Sequence, residues 1–300
     1  MVKIAYAPEY QLSLPKTHRF PMEKYGLIYE QLLFEKTFTP QDFFHPRALD
    51  RAALLAVHDE QYVEKMEKGT LHPKEVRRIG FPWSKQLIER EMLITSGTVQ
   101  SSLYSLENGI AFNVAGGTHH AYRDKGEGFC IYNDIAVAAQ YLLDIDKVKQ
   151  ALIVDLDVHQ GNGTARIFEK QKSVFTFSMH SAKNYPLHKE NSDLDIGLSA
   201  DISDQAYLRL LEKNLKWLIE TIKPDIIFYQ SGVDILENDR LGKLSISKQG
   251  VRQRDIMLYK YAAKHAIPVT VSMGGGYARR LRNIVDAHCN TFRLAKDIYE

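Results

Sequence analysis

Residues 151–164 read Ala151-Leu-Ile-Val-Asp155-Leu-Asp157-Val-His159-Gln-Gly161-Asn162-Gly163-Thr164. The apolar run from Ala151 to Val154 has the continuity of a strand buried on both faces. It runs into Asp155, Asp157 and His159, spaced two apart, and then breaks at Gly161 and Gly163. Alternate residues of an extended chain point the same way, so the three polar side chains project together. In open α/β sheets, ligands bind beyond the carboxyl ends of the strands. Two carboxylates and an imidazole at such a place suit a metal ion. Taken alone, the run reads equally well as a capped strand end with solvated aspartates.

On either side, short apolar runs alternate with amphipathic ones. Strands are expected at Val2–Ala7, Ile110–Ala115, Ser173–Met179, Asp225–Gln230 and Pro268–Met273, with a further short one near Ile196. Helical spacing covers 22–34, 48–68 with Gly69 as its stop, and 85–107 ending at Asn108-Gly109. It recurs from an Asn133 cap to Leu143, at 163–170, at 204–222 ending before Pro224, at 247–264, and in a final helix. Residues 13–21 read as a loop with Phe20 exposed, 70–84 as an irregular loop, and 116–132 as a Gly-rich one. Strands alternating with helices at this rhythm imply an α/β fold with a mainly parallel sheet covered on both faces. No linker, repeat or low-complexity tract interrupts residues 1–300, so one domain is the economical reading.

Composition narrows the class. A hydrophobic share of 44% and a charged share of 25% are those of an ordinary globular protein. The net charge of +2, from 39 basic and 37 acidic side chains, is too balanced for a protein that coats nucleic acid. Cys130 and Cys289 make no disulfide framework, which points to a reducing compartment. There is no 18-residue apolar run and no signal-peptide pattern at Met1–Tyr6. A soluble cytoplasmic protein without a membrane span is therefore expected. Its oligomeric state is not legible.

The unusual residues fall after four of the expected strands. His119-His120 follow one, Asp155-Asp157-His159 a second, Asp234 a third and Gly274–Tyr277 a fourth. Parallel strands would put all four carboxyl ends on one rim.

These residues carry a family resemblance. Gly116-Gly-Thr-His-His120, Gly128-Phe-Cys130, Asp155-Leu-Asp-Val-His159, Gly161-Asn-Gly163, Ser231-Gly-Val-Asp234 and Gly274-Gly-Gly-Tyr277 resemble, in order, the motifs of the zinc-dependent histone deacetylase superfamily. That superfamily includes acetylpolyamine amidohydrolases and acetoin-utilisation proteins. Four further stretches look like its class IV branch: His18-Arg-Phe-Pro-Met-Glu-Lys-Tyr25, Arg77-Arg-Ile-Gly-Phe-Pro82, His159-Gln160, and Asp239-Arg-Leu-Gly-Lys-Leu-Ser-Ile-Ser247. The resemblance implies the arginase/deacetylase fold, a single domain with an eight-stranded parallel sheet between helical layers.

It also implies roles. Asp157, His159 and Asp234 would hold Zn²⁺, with Fe²⁺ not excluded by an oxygen-rich ligand set. Asp155 would stand behind His119. His120 would be the general base, oriented by Asn162 where class I members have Asp, and His120 or His119 would return the proton to the amine. Tyr277 would donate to the substrate carbonyl. Phe129 and Tyr185 would wall a tunnel for the substrate's alkyl stem, and the Gly128 carbonyl would accept its N–H. Asp155, Asp157, His159, Ser178 and Met179 match a structural K⁺ or Na⁺ site.

The two aspartates and neutral histidine cancel the charge of Zn²⁺. The ion would then acidify its water less than the ~7 reached with three histidines, and a base becomes necessary. The expected substrate is an acyl-lysine protein or peptide, carrying acetyl or longer fatty acyl. Acylpolyamines or other small acylated amines are the alternative, and a non-catalytic acyl-lysine-binding module is a third reading. An arginase-like binuclear site lacks its further carboxylate, because Gly232 stands there. The other eight histidines read as surface or packing residues. Arg279, Arg280 and Arg282 read as a solvated helix face, with contact to an acidic substrate as the alternative.

Overall fold

The computed structural model describes residues 1–300. Eight strands form one sheet: β1 (Lys3–Ala5), β2 (Phe43–Phe44), β3 (Ile110–Asn113), β4 (Ala151–Asp155), β5 (Val174–Ser181), β6 (Leu194–Leu198), β7 (Ile226–Gln230) and β8 (Val269–Ser272). Their order is β2-β1-β3-β8-β7-β4-β5-β6, and every neighbouring pair is parallel. The helices are α1 (Lys24–Phe34), α2 (Arg51–Leu55), α3 (Glu60–Lys68), α4 (Pro73–Ile79), α5 (Lys85–Asn108), α6 (Asp134–Asp144), α7 (Asn162–Phe168), α8 (Asp204–Ile222), α9 (Lys248–Lys264) and α10 (Leu281–Tyr299).

The chain starts beside one edge with β1 and β2, crosses through β3 and β4 to the far edge at β6, and returns to the centre with β7 and β8. Right-handed crossovers put α5, α6 and α7 on one face and α1, α8, α9 and α10 on the other. Consistent with that, α1 packs on α10, α10 on α9 and α9 on α8, while α5 packs on α6. All residues of β3, β4, β7 and β8 are buried, as a strand covered on both faces requires. Side-chain caps start α5, α6, α8 and α9: Ser84 accepts from Leu87 N–H, Asn133 from Ala136, Ser203 from Ala206 and Ser247 from Gly250.

The four strands whose ends carry the unusual residues, β3, β8, β7 and β4, are consecutive at the centre of the sheet. Their carboxyl ends therefore form one continuous rim.

Four expectations are corrected. The helix read over 48–68 is two helices, because His58 turns inward. Its ring is buried, donating Nδ1–H to Tyr122 O and accepting from Asn133 N–H at Nε2, both at 2.9 Å. The segment 70–84 is not wholly irregular. Pro73–Ile79 is helical, started by a His72/Glu75 capping box with Pro at the first turn and stopped by Gly80 at φ +89°. The strand Phe43–Phe44 went unread, being two residues long. Phe20 is buried, not exposed, packing edge-on to Phe81, Phe129 and Tyr277 at centroid distances of 5.0, 5.3 and 6.0 Å.

Candidate metal centre and tunnel

Beyond β4 the chain bends at residues 157–159, and Asp155, Asp157 and His159 lie close together there without sharing one direction. Asp155 turns to His119, whose Nδ1–H donates to its Oδ2 at 2.7 Å. Asp157 and His159 face Asp234, which follows β7. One ligand atom from each of the three lies within 4.8 Å of the other two.

Backbone N–H groups hold the two carboxylates. Gly275 N–H donates to Asp157 Oδ2 at 2.8 Å, and Val158 N–H to Asp234 Oδ1 at 2.9 Å. The His159 Nδ1 lies 3.0 Å from Asp157 and 3.1 Å from Asp234 Oδ2. One ring N–H cannot serve both, and Asp234 Oδ2 is left buried with no hydrogen-bond partner. A Cβ on Gly275 would collide with that oxygen, so the chain must be glycine where it passes.

The electrostatics ask for a cation. Burial, then repulsion from Asp157, pushes the Asp234 carboxyl up to about 7. Burial opposes charge on His159, but its hydrogen bond to Asp157 and the adjacent Asp234 carboxylate outweigh it and raise the ring to about 10. The protonated imidazole supplies the positive charge that a divalent ion, held by two oxygen ligands and one nitrogen ligand, would otherwise bring. The residues present fit such an ion.

Two histidines sit above this trio, their ring centroids 4.1 Å apart. His120 donates Nδ1–H to Asn162 Oδ1 at 2.6 Å. Burial, then the neighbouring His119 and His159, holds His120 well below the ordinary histidine value. For His119 burial opposes charge, but Asp155 and Asp157 carry the ring above it. Burial, then Asp234 and Asp157, keeps the Tyr277 phenol well above 10, and hence protonated.

Asp157, His159, His119, His120 and Tyr277 share one cavity of about 320 Å³ with Gly128, Phe129 and Tyr185. Tyr185 packs edge-on to His120 at 4.9 Å. Phe129 has φ +67°, and Gly80 leaves room for its ring. The Cys130 thiol reaches the Gly128 carbonyl at 3.5 Å. Ser178 pairs across the sheet with Asp155, and the buried Met179 follows it. The Ser178 hydroxyl is already hydrogen-bonded to the His180 ring at 2.9 Å.

A histone deacetylase domain model matches residues 18–292. The chain belongs to the histone deacetylase family. It is 42% identical over 296 residues to an uncharacterized protein of Picosynechococcus sp., covering 99% of both. It is 27% identical to histone deacetylase 2 of Arabidopsis thaliana, over 95% of this chain and 76% of that one. An HDAC homolog from Aquifex aeolicus superposes with a TM-score of 0.82 over 98% of this chain and 83% of its own. At 24% identity it speaks to the fold alone.

Three residues of this deacetylase-family site were not singled out from sequence. Glu127 accepts from Asn162 Nδ2 and from the Tyr185 hydroxyl, both at 2.8 Å, and Tyr122 OH accepts from the same Nδ2 at 2.9 Å. Lys24 is fully buried behind the trio, donating to Gly274 O at 3.1 Å beneath the Phe20, Tyr25 and Tyr277 rings. Burial lowers its ammonium to about 8. Nothing local in the sequence marks these contacts. Of the eight other histidines, His58, His180 and His288 are buried, His18 is half-buried, and His45, His72, His188 and His265 are exposed.

Proposed function

We propose that this chain is a metal-dependent amidohydrolase that removes acyl groups from lysine side chains of proteins or peptides. The observation that carries the reading is the unpartnered Asp234 oxygen beside Asp157 and His159, two residues that open onto a cavity shared with an oriented histidine and a protonated phenol. Zn²⁺ or Fe²⁺ would be held by Asp157, His159 and Asp234. When bound, it supplies Lewis-acid polarisation to the carbonyl and the attacking water.

His120, with its proton on Nδ1, has Nε2 free to take a proton from that water. Tyr277 donates to the carbonyl oxygen as negative charge develops there. His120, or His119 held by Asp155, returns a proton to the departing amine. Phe129 and Tyr185 exclude water from the alkyl stem, and Gly128 O orients its N–H. Asp155, Asp157, His159, Ser178 and Met179 would hold a structural K⁺ or Na⁺.

The cavity continues inward to Tyr25, Arg90, Ile94 and Thr118. That floor is mostly polar, which supports acetyl and other short acyl groups over long apolar ones. Metal analysis and a panel of acetyl- to myristoyl-lysine peptides and acylpolyamines test the reading. Zinc or iron with hydrolysis of short acyl-lysines is expected. A protein that holds neither metal and hydrolyses none of the panel would overturn it.

A further inference from the structure

Five exposed arginines surround the mouth of the cavity. Arg19, Arg77 and Arg78 line its opening. A second groove of about 530 Å³ shares Arg19, Phe20 and Tyr277 with it and adds Arg240, Arg279 and Lys16. No carboxylate of the chain pairs with any of the five, and what sets them apart from the chain's other unpaired arginines is their convergence on one mouth. The linings hold only two carboxylates, the buried Asp157 and Glu23. Nearby Glu127 is engaged by Asn162 and Tyr185. In a chain of net charge +2 this is a local excess.

The charges are tied to the tunnel walls. Gly128 N–H donates to Arg78 O at 3.1 Å, and Phe129 N–H to Ile79 O at 2.7 Å. The Arg19 guanidinium carbon lies 5.9 Å from the Phe129 centroid. Asp239, next to Arg240, accepts from Tyr277 N–H at 2.6 Å, and Arg279 follows Tyr277 by two residues. Cations at the end of α4 suit its dipole, which accounts for Arg77 and Arg78 at most. The other three lie outside helices. The basic cluster after Tyr277 thus divides: Arg279 faces this groove, and Arg282 lines another with Glu30, Glu35 and Asp286.

We propose that the rim Arg19, Arg77, Arg78, Arg240 and Arg279 selects protein segments with acidic residues flanking the acyl-lysine. Resting on the acyl-lysine reading above, it names the substrate class: acidic sequences are drawn to the mouth, while acylpolyamines and lysine-rich tails are repelled.

The test compares kcat/KM for two peptides with the same acyl-lysine, one flanked by Asp and Glu, the other by Lys and Arg. Anisotropy with ketone analogues that resist hydrolysis measures binding separately. Several rim pairs together predict roughly tenfold preference for the acidic peptide, vanishing near 1 M salt, where the Debye length is about 3 Å. R77E/R78E and R279E should each reduce or invert the ratio, which within one variant does not depend on the fraction folded. Equal kcat/KM for both peptides, or a ratio untouched by either variant, overturns the rim. So does tight binding of a short oligonucleotide with no discrimination between the peptides. Acidic preference in binding without hydrolysis of any peptide supports the rim and sinks the amidohydrolase reading.

Discussion

Oδ1 of Asn162 lies 2.6 Å from Nδ1 of His120. The amide is oriented because its Nδ2 donates to Tyr122 OH and Glu127. An oxygen facing Nδ1 requires the ring to carry its proton there, leaving a lone pair on Nε2. Glu127→Ala removes an acceptor that holds both the amide and the Tyr185 hydroxyl, and activity should fall about 10- to 100-fold. Asn162→Asp would set two carboxylates face to face, and one would take up a proton. The double variant N162D/E127Q avoids this. Its negative charge favours the imidazolium, so the acid limb of kcat/KM, below pH 6.5 in the wild type because His120 is depressed, should move to higher pH. An unchanged pH–rate profile would count against His120 as the base.

Tyr277→Phe keeps the ring packing against Phe20 and Phe129 but deletes the donor. The expected loss is about 100- to 1000-fold in kcat with metal content unchanged. Steady-state kinetics beside metal analysis distinguish this from a binding defect.

Metal binding should release protons. In the ion-free site His159 is raised to about 10 and Asp234 to about 7, and an ion must displace what they hold. Affinity should therefore fall as pH drops below about 10, and more steeply below about 7, read by competition with a chelating dye. Saturating metal at 1,000 times Kd should stabilise the fold by about 4 kcal/mol, and Asp234→Asn should abolish that gain.

His58, far along the chain from Asp157, His159 and Asp234, carries a separate acid sensitivity. Burial lowers it to about 4, against about 6.5 unfolded. Below pH 6.5 the unfolded state binds the extra proton, so this stability is present above 6.5 and is lost as pH falls towards 4. At pH 5 the loss is about 2 kcal/mol. Urea midpoints at neutral pH and pH 5 should differ less in His58→Gln than in the wild type.

Gly80 stands at φ +89°, and a Cβ there would come 2.9 Å from Cε1 of Phe129. Gly80→Ala should cost about 1–3 kcal/mol through backbone strain and raise KM by tilting the tunnel wall. An unaltered KM would show that Phe129 does not shape the mouth.

Much of this protein is written in local periodicity. The two-residue spacing after β4 marks Asp155, Asp157 and His159 as a cluster, and buried apolar runs mark the central strands, because such signals need only neighbouring residues. The α4 signal is equally local, in the capping box His72-Pro73-Lys74-Glu75, but seven residues closed by Gly80 are too few to show a helical period. Phe43–Phe44 is too short to show a period at all. Contacts between distant residues are another matter. That Lys24 reaches Gly274, that Glu127 braces Asn162 and that Phe20 is buried against Phe81, Phe129 and Tyr277 depend on how loops from opposite ends of the chain close over the rim. The sequence alone determined the parallel α/β pattern and which residue types stand at its strand ends. Only the tertiary structure decided which of them meet, because burial and hydrogen bonding are properties of the packed chain and not of any segment.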